Sequence, residues 1–175
     1  NAGIVRFEDS LDVCIKVETH NSPSALDPYG GALTGILGVN RDILGVGLGA
    51  RPIANTNVFC VGTDESVPHL PEGLYHPRHL LQGIHQGIQD GGNQSGVPTV
   101  NGAILFHDSY CGKPLVFCGT IGVLPQKNSS GQELAYKHIN PGDRIIVAGG
   151  AIGKDGIHGA TFSSLQLDEN TPAGA

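Results

Sequence analysis

The chain has 175 residues, 39% of them hydrophobic, and a net charge of −6 with no basic stripe, which excludes nucleic acid as its main partner. That length fits one domain with room for a real core, and no apolar run approaches the ~20 residues that cross a membrane. Cys14, Cys60, Cys111 and Cys118 contain no C-x-x-C pair, which speaks against a zinc site or a disulfide framework and for reduced thiols in a cytoplasmic protein.

In chain order, strands are expected near 12 to 19, 52 to 62, 99 to 107, 115 to 124 and 143 to 148, each rich in Val, Ile or Phe and bounded by Gly, Pro, Asn or Asp. Helices are expected near 30 to 46 and 77 to 91. The first is glycine-rich and intrinsically weak, so packing must hold it. In the second, Leu81, Ile84 and Ile88 recur at helical spacing, and Asp90-Gly91-Gly92-Asn93 closes it. Polar stretches at 63 to 76 and 125 to 138, punctuated by Pro, Gly, Asn and Ser, read as surface excursions. The chain has no methionine and ends on the loop-like Asn170-Thr171-Pro172-Ala173-Gly174-Ala175, so residues 1–175 are expected to be a single domain cut from a longer polypeptide.

The run Lys16-Val17-Glu18-Thr19-His20-Asn21-Ser22-Pro23-Ser24 carries the chemistry. Val13, Ile15 and Val17 alternate with Cys14, Lys16 and Glu18, so Lys16 and Glu18 share one face of the strand and His20 joins them if the strand extends that far. A lysine for phosphate, a carboxylate for a divalent ion and an imidazole for a proton make a phosphoryl-transfer set. An edge strand whose solvent face happens to be charged has the same spacing. Arg41-Asp42 is an adjacent charged pair in an uncharged helix, and adjacent helical residues do not face each other. Glycines 150, 153, 156 and 159 allow either a phosphate contact or a plain turn, but the segment is neither a Walker A loop nor G-x-G-x-x-G. His79 and His85 are six residues apart and do not share a helical face, which weakens any metal reading.

Further motifs extend the pattern: Pro28-Tyr29-Gly30-Gly31-Ala32-Leu33-Thr34-Gly35 through Asn40-Arg41-Asp42, Gly49-Ala50-Arg51-Pro52-Ile53-Ala54, Gly96-Val97-Pro98-Thr99-Val100-Asn101-Gly102, Asp108-Ser109-Tyr110-Cys111-Gly112-Lys113-Pro114-Leu115-Val116 and Gly153-Lys154-Asp155-Gly156-Ile157-His158-Gly159. Together with the first run they resemble the phosphoribosylformylglycinamidine synthase family, within the aminoimidazole ribonucleotide synthetase-like superfamily. Asn101 departs from an expected glycine and Ser22 from an expected second histidine. A hydroxyl does not titrate near neutrality, so position 22 supplies no second histidine for a relay.

The resemblance implies an α+β, two-layer domain with a mainly antiparallel four-stranded sheet and helices on one face. It implies ATP-dependent conversion of formylglycinamide ribonucleotide to the amidine, with ammonia from a glutaminase domain or subunit. It assigns ATP phosphate to Lys16 and Mg2+ to Glu18 and Asp42. Substrate falls to Thr19, His20, Asn21, Ser22 and Arg41, with His20 also the proton acceptor. It further implies pairing through the sheet with a second domain, from the rest of the same chain or from a homodimer. The alternatives are another ATP-dependent member, such as an aminoimidazole ribonucleotide or selenophosphate synthetase, and a non-catalytic assembly module. The text Glu18-Thr19-His20-Asn21 followed by Pro28-Tyr29-Gly30-Gly31 favours the amidotransferase.

Overall fold

Strand alternation and two capped helices account for most of the computed structural model, which describes residues 1–151 and 153. The elements are β1 (Gly3–Arg6), β2 (Leu11–Thr19), α1 (Asn21–Leu26), α2 (Pro28–Gly45), β3 (Arg51–Val61), α3 (Pro77–Ser95), β4 (Thr99–Phe106) and β5 (Leu115–Pro125), with 3-10 turns at Asp64–His69 and Asp108–Tyr110. Asp27 caps α2 by accepting a hydrogen bond from Gly30 N at 3.0 Å, and Pro28 takes the first turn, where no N–H is missed. Pro77 starts α3 in the same way. Gly96, at φ +70°, caps α3 in the left-handed conformation that favours glycine, so the helix runs to Ser95, four residues beyond the stop expected near 91.

The sheet is five-stranded in the order β1-β2-β5-β3-β4. That corrects the expected four strands, because the short β1 adds an edge against β2. The pairings β1–β2, β2–β5 and β5–β3 are antiparallel, whereas β3–β4 is parallel. The parallel pair follows from α3, which carries the chain from β3 back to the start of the sheet before β4. The segment 143–148 forms no strand: Ile145 is 95% exposed, Ile146 86% and Val147 72%. They pair with no strand among the described residues, so strand propensity alone does not order them. The glycine-rich expectation from 154 to 159 lies outside the described residues.

α2 lies over β2, β5 and β3, and α3 packs beside it on the same face. α3 comes close because Gly83, Gly87 and Gly91 face α2; a Cβ at Gly87 would stand 2.4 Å from the Tyr29 carbonyl oxygen. This contact supplies the packing that the glycine-rich α2 lacks on its own. One apolar cluster joins Ala32, Ile36 and Val39 to Leu80, Ile84, Ile88, Phe59, Val61, Val116 and Cys118. A second joins Cys14, Ile43, Ala50 and Leu124. The opposite face of the sheet has no helix among the described residues, and it leaves Val5, Ile15 and Val17 exposed. No helix among the described residues is long and apolar enough to cross a membrane.

Candidate active site

Residues 13 to 18 alternate as expected, but the sides are the reverse of an edge strand with a charged solvent face. Cys14, Lys16 and Glu18 face α2, and Lys16 is 8% exposed, while Ile15 and Val17 face outward. A buried ammonium needs partners, and Lys16 has two. Its Nζ lies 3.0 Å from Glu18 Oε2 on the same strand and 3.0 Å from Asp42 Oδ2 on α2. Burial favours the neutral amine, but hydrogen bonds to Glu18 and Asp42, with their negative charge, outweigh it and hold the ammonium above the ordinary lysine value.

His20 follows the end of β2, and its backbone N–H donates to Val116 O at 2.8 Å. The ring folds back onto α2, where Nδ1 lies 2.6 Å from the Gly31 carbonyl oxygen. A carbonyl only accepts, so the proton sits on Nδ1 and the Nε2 lone pair is left available. Burial lowers the imidazole's proton affinity below the ordinary value, although the bond to Gly31 and the charge of Glu18 oppose the shift. His20 is therefore neutral at pH 7 and suited to accept a proton. The fit depends on glycine: a Cβ at Gly35 would meet His20 Cβ at 3.1 Å, and one at Gly31 would meet Ser24 N at 2.4 Å.

The remaining candidates divide. Thr19 is exposed at the end of β2. Asn21 Oδ1 accepts from Val116 N at 2.8 Å, and Ser22 is fully buried, so both help to shape the turn after His20. Arg41 is exposed, about 100° round α2 from Asp42, and makes no ion pair among the described residues. The structure thus gathers Lys16, Glu18 and Asp42, sets His20 two residues beyond Glu18, and leaves Arg41 outside the group.

The sequence reading missed two features beside these residues. One is the Gly31 carbonyl that fixes the His20 tautomer; backbone groups leave no trace in residue type. The other is a buried polar set of Asn40, Asn55 and Thr120. The spacing of Ile36, Asn40 and Ile43 on one helical face could have exposed Asn40 as a core position. Cys118, beneath Gly35, is no nucleophile, because burial pushes its thiol up to about 12.

Among the described residues no group of three or more His, Cys, Asp or Glu side chains forms a metal cage. Glu18 and Asp42 nonetheless suit magnesium. They come from different elements, are partly exposed and already share one cation, the Lys16 ammonium. Magnesium asks for only one or two protein carboxylates, with phosphate and water completing its shell.

A mixed sheet with helices on one face, and cation, carboxylates and imidazole gathered at the end of its second strand, defines an α+β domain with a charged site. The model of the AIR synthase related protein N-terminal domain matches residues 1–124, and the chain belongs to that family. Phosphoribosylformylglycinamidine synthase subunit PurL of Thermoplasma volcanium is 42% identical over 167 residues, 95% of this chain and 21% of that protein. The PurL subunit of Salinibacter ruber is also 42% identical, over 171 residues. The chain thus spans about a fifth of the length of the curated relatives it matches. Among solved structures, T. maritima PurL complexed with FGAR superposes with a TM-score of 0.75 at 37% identity, over 99% of this chain and 25% of that one. T. maritima PurL complexed with ATP gives 0.57 at 38% identity, over 71% of this chain and 18% of that one.

Proposed function

We propose that residues 1–175 form one module of an ATP-dependent carbon–nitrogen ligase that converts formylglycinamide ribonucleotide to formylglycinamidine ribonucleotide in purine biosynthesis. The observation that carries this reading is the meeting of Lys16, Glu18 and Asp42 beside a neutral His20, in a domain whose relatives are named for that synthase. The γ-phosphoryl group of ATP passes to the amide oxygen, forming a P–O bond and releasing ADP. Ammonia then attacks the carbon that bears this phosphorylated oxygen, forming a C–N bond; the C–O bond breaks, and phosphate leaves. The nitrogen sheds a proton, and His20 accepts it at Nε2, the ring nitrogen not engaged by the Gly31 carbonyl. Lys16 offsets phosphate charge. Glu18 and Asp42 would hold Mg2+, which when bound would neutralise the phosphate oxygens. Thr19, His20, Asn21 and Ser22 form the substrate-binding turn, Thr19 and His20 facing the substrate and Asn21 and the buried Ser22 holding the turn in shape, and Arg41, free of any ion pair among the described residues, reaches an anionic or polar group of the ribonucleotide.

The partners follow from the same reading. Ammonia comes from glutamine through a glutaminase domain or subunit. The bare sheet face docks a second such domain, from the rest of the polypeptide or from a homodimer of this piece, and the protein works in the cytoplasm. The module alone does not complete the reaction. The test is an assay with ATP, formylglycinamide ribonucleotide and ammonium. The full-length protein should release ADP and amidine in equal amounts, and residues 1–175 should release neither. Turnover by the piece alone at about 1 per second or above would overturn the modular reading, and no amidine from the full-length protein would overturn the activity.

A further inference from the structure

The core of this domain is cut in two by a polar belt. On β5, Val116 and Cys118 belong to one apolar cluster and Leu124 to the other, with Thr120 between them. Thr120 is in register with Lys16 on β2 and with Asn55 on β3, and all three face α2. Asn40 of α2 closes the belt from above: its Oδ1 accepts from Asn55 Nδ2 at 2.8 Å and from Thr120 Oγ1 at 2.8 Å. Asn55 Nδ2 also donates to Thr120 Oγ1 at 2.7 Å. Asn55 and Thr120 are each 1% exposed and Asn40 is 4% exposed.

This is a costly way to fill a core. Among the described residues Asn40 Nδ2 and Asn55 Oδ1 have no hydrogen-bond partner, and a buried polar atom left unpaired opposes folding. Apolar side chains of similar size would avoid that cost, so the belt must serve something other than stability. We propose that Asn40, Asn55 and Thr120 are positioning residues that fix the rotation of α2 and so hold Asp42 against Lys16. The inference rests on the reading of Lys16 and Asp42 as part of the nucleotide site.

Geometry supports it. At about 100° per residue, Asn40 and Asp42 fall on opposite flanks of the buried edge formed by Val39 and Ile43. One flank is tied to β5 and β3 through Asn40, and the other reaches β2 through Asp42 and Lys16. Side-chain ends lie roughly 5–6 Å from a helix axis, so a rotation of about 20° swings the Asp42 carboxylate by about 2 Å. That movement breaks a 3.0 Å contact. Apolar packing is non-directional and tolerates such a rotation, whereas hydrogen bonds do not.

Three full-length variants, Asn40→Leu, Thr120→Val and Thr120→Ser, test the proposal, with Lys16→Ala as reference. The readouts are ATP affinity by calorimetry without turnover, KM against kcat, thermal stability, and the Lys16 Nζ–Asp42 Oδ2 distance in a crystal of Asn40→Leu. Thr120→Val is nearly isosteric, so it should fold even if Asn40→Leu does not. Asn40→Leu and Thr120→Val should weaken ATP about tenfold or more and raise KM at temperatures where the melting curve shows the variant fully folded, even though the partners left behind lower its melting temperature. Thr120→Ser, which keeps the hydroxyl, should match the parent. If Lys16→Ala weakens ATP but Asn40→Leu and Thr120→Val do not, the belt is only core filling and the proposal fails. If Lys16→Ala has no effect, the nucleotide reading fails instead, and the distance decides alone: a retained 3.0 Å contact refutes the positioning role, and a broken one supports it.

Discussion

Replacing His20 with asparagine should separate proton transfer from structure. An asparagine amide can donate to the Gly31 carbonyl as Nδ1–H does now, at 2.6 Å, but it cannot titrate. Only the Nε2 lone pair is lost. General acid–base catalysis is worth roughly 10²–10⁴-fold, so kcat should fall by that factor, equivalent to about 2.7–5.4 kcal/mol of barrier. Folding stability should change little, whereas His20→Ala, which also removes the bond to Gly31, should lose a further 0.5–1.5 kcal/mol or so. Steady-state kinetics of the full-length variants, with ammonium as nitrogen source, give the rate; chemical denaturation gives the stability. A His20→Asn enzyme within about threefold of the parent kcat would show that the imidazole accepts no proton in the rate-limiting chemistry, and the assignment would fall.

Gly31→Ala should destabilise the domain by about 1–3 kcal/mol, because its Cβ would lie 2.4 Å from the backbone nitrogen of Ser24, which cannot yield as a side-chain tip would; the melting temperature reports it. His20 holds its proton less tightly when folded than when unfolded, so stability should rise with pH in the window below the ordinary imidazole value of about 6.5 and flatten above it. In His20→Asn that acid-side slope should shrink, and an unchanged slope would assign it to another group. Sedimentation of residues 1–175 should show a dimer at micromolar concentration, and Ile15→Glu, on the bare sheet face, should return a monomer at nearly unchanged stability. A monomeric parent would remove the sheet-pairing proposal.

The elements with strong periodicity were legible. The spacing of Leu81, Ile84 and Ile88 placed α3, and the Val13-to-Glu18 alternation placed β2 and put Lys16 beside Glu18. Periodicity does not say which face is inside. That was decided by Asp42, whose carboxylate draws the charged face under α2 and leaves Ile15 and Val17 bare. β1 escaped notice because four residues at the start of the chain carry no readable pattern and owe their conformation to β2. α1 has the Ser-Pro-Ser composition of a loop, and it forms because Ser24 Oγ bonds back to the His20 carbonyl at 2.6 Å and Pro23 O accepts from Asp27 N. The failed strand at 143–148 shows the converse: Ile145, Ile146 and Val147 have the propensity but pair with no strand among the described residues. For the site, strand alternation put Lys16 and Glu18 on one face, and the family resemblance singled out Asp42, which the structure brings to Lys16; the polar belt stayed hidden because Asn40 and Asn55 look like surface residues until their neighbours are known.

The most direct test of the account is the magnesium and ATP dependence of Lys16→Ala, Glu18→Ala and Asp42→Ala in the full-length protein. Glu18→Ala and Asp42→Ala should each shift the magnesium curve to higher concentration, since each removes a hard oxygen ligand, and Lys16→Ala should chiefly raise the ATP concentration required. Magnesium and ATP curves that superpose on the parent's in all three variants would contradict it, leaving the Lys16–Glu18–Asp42 group a structural ion pair and nothing more.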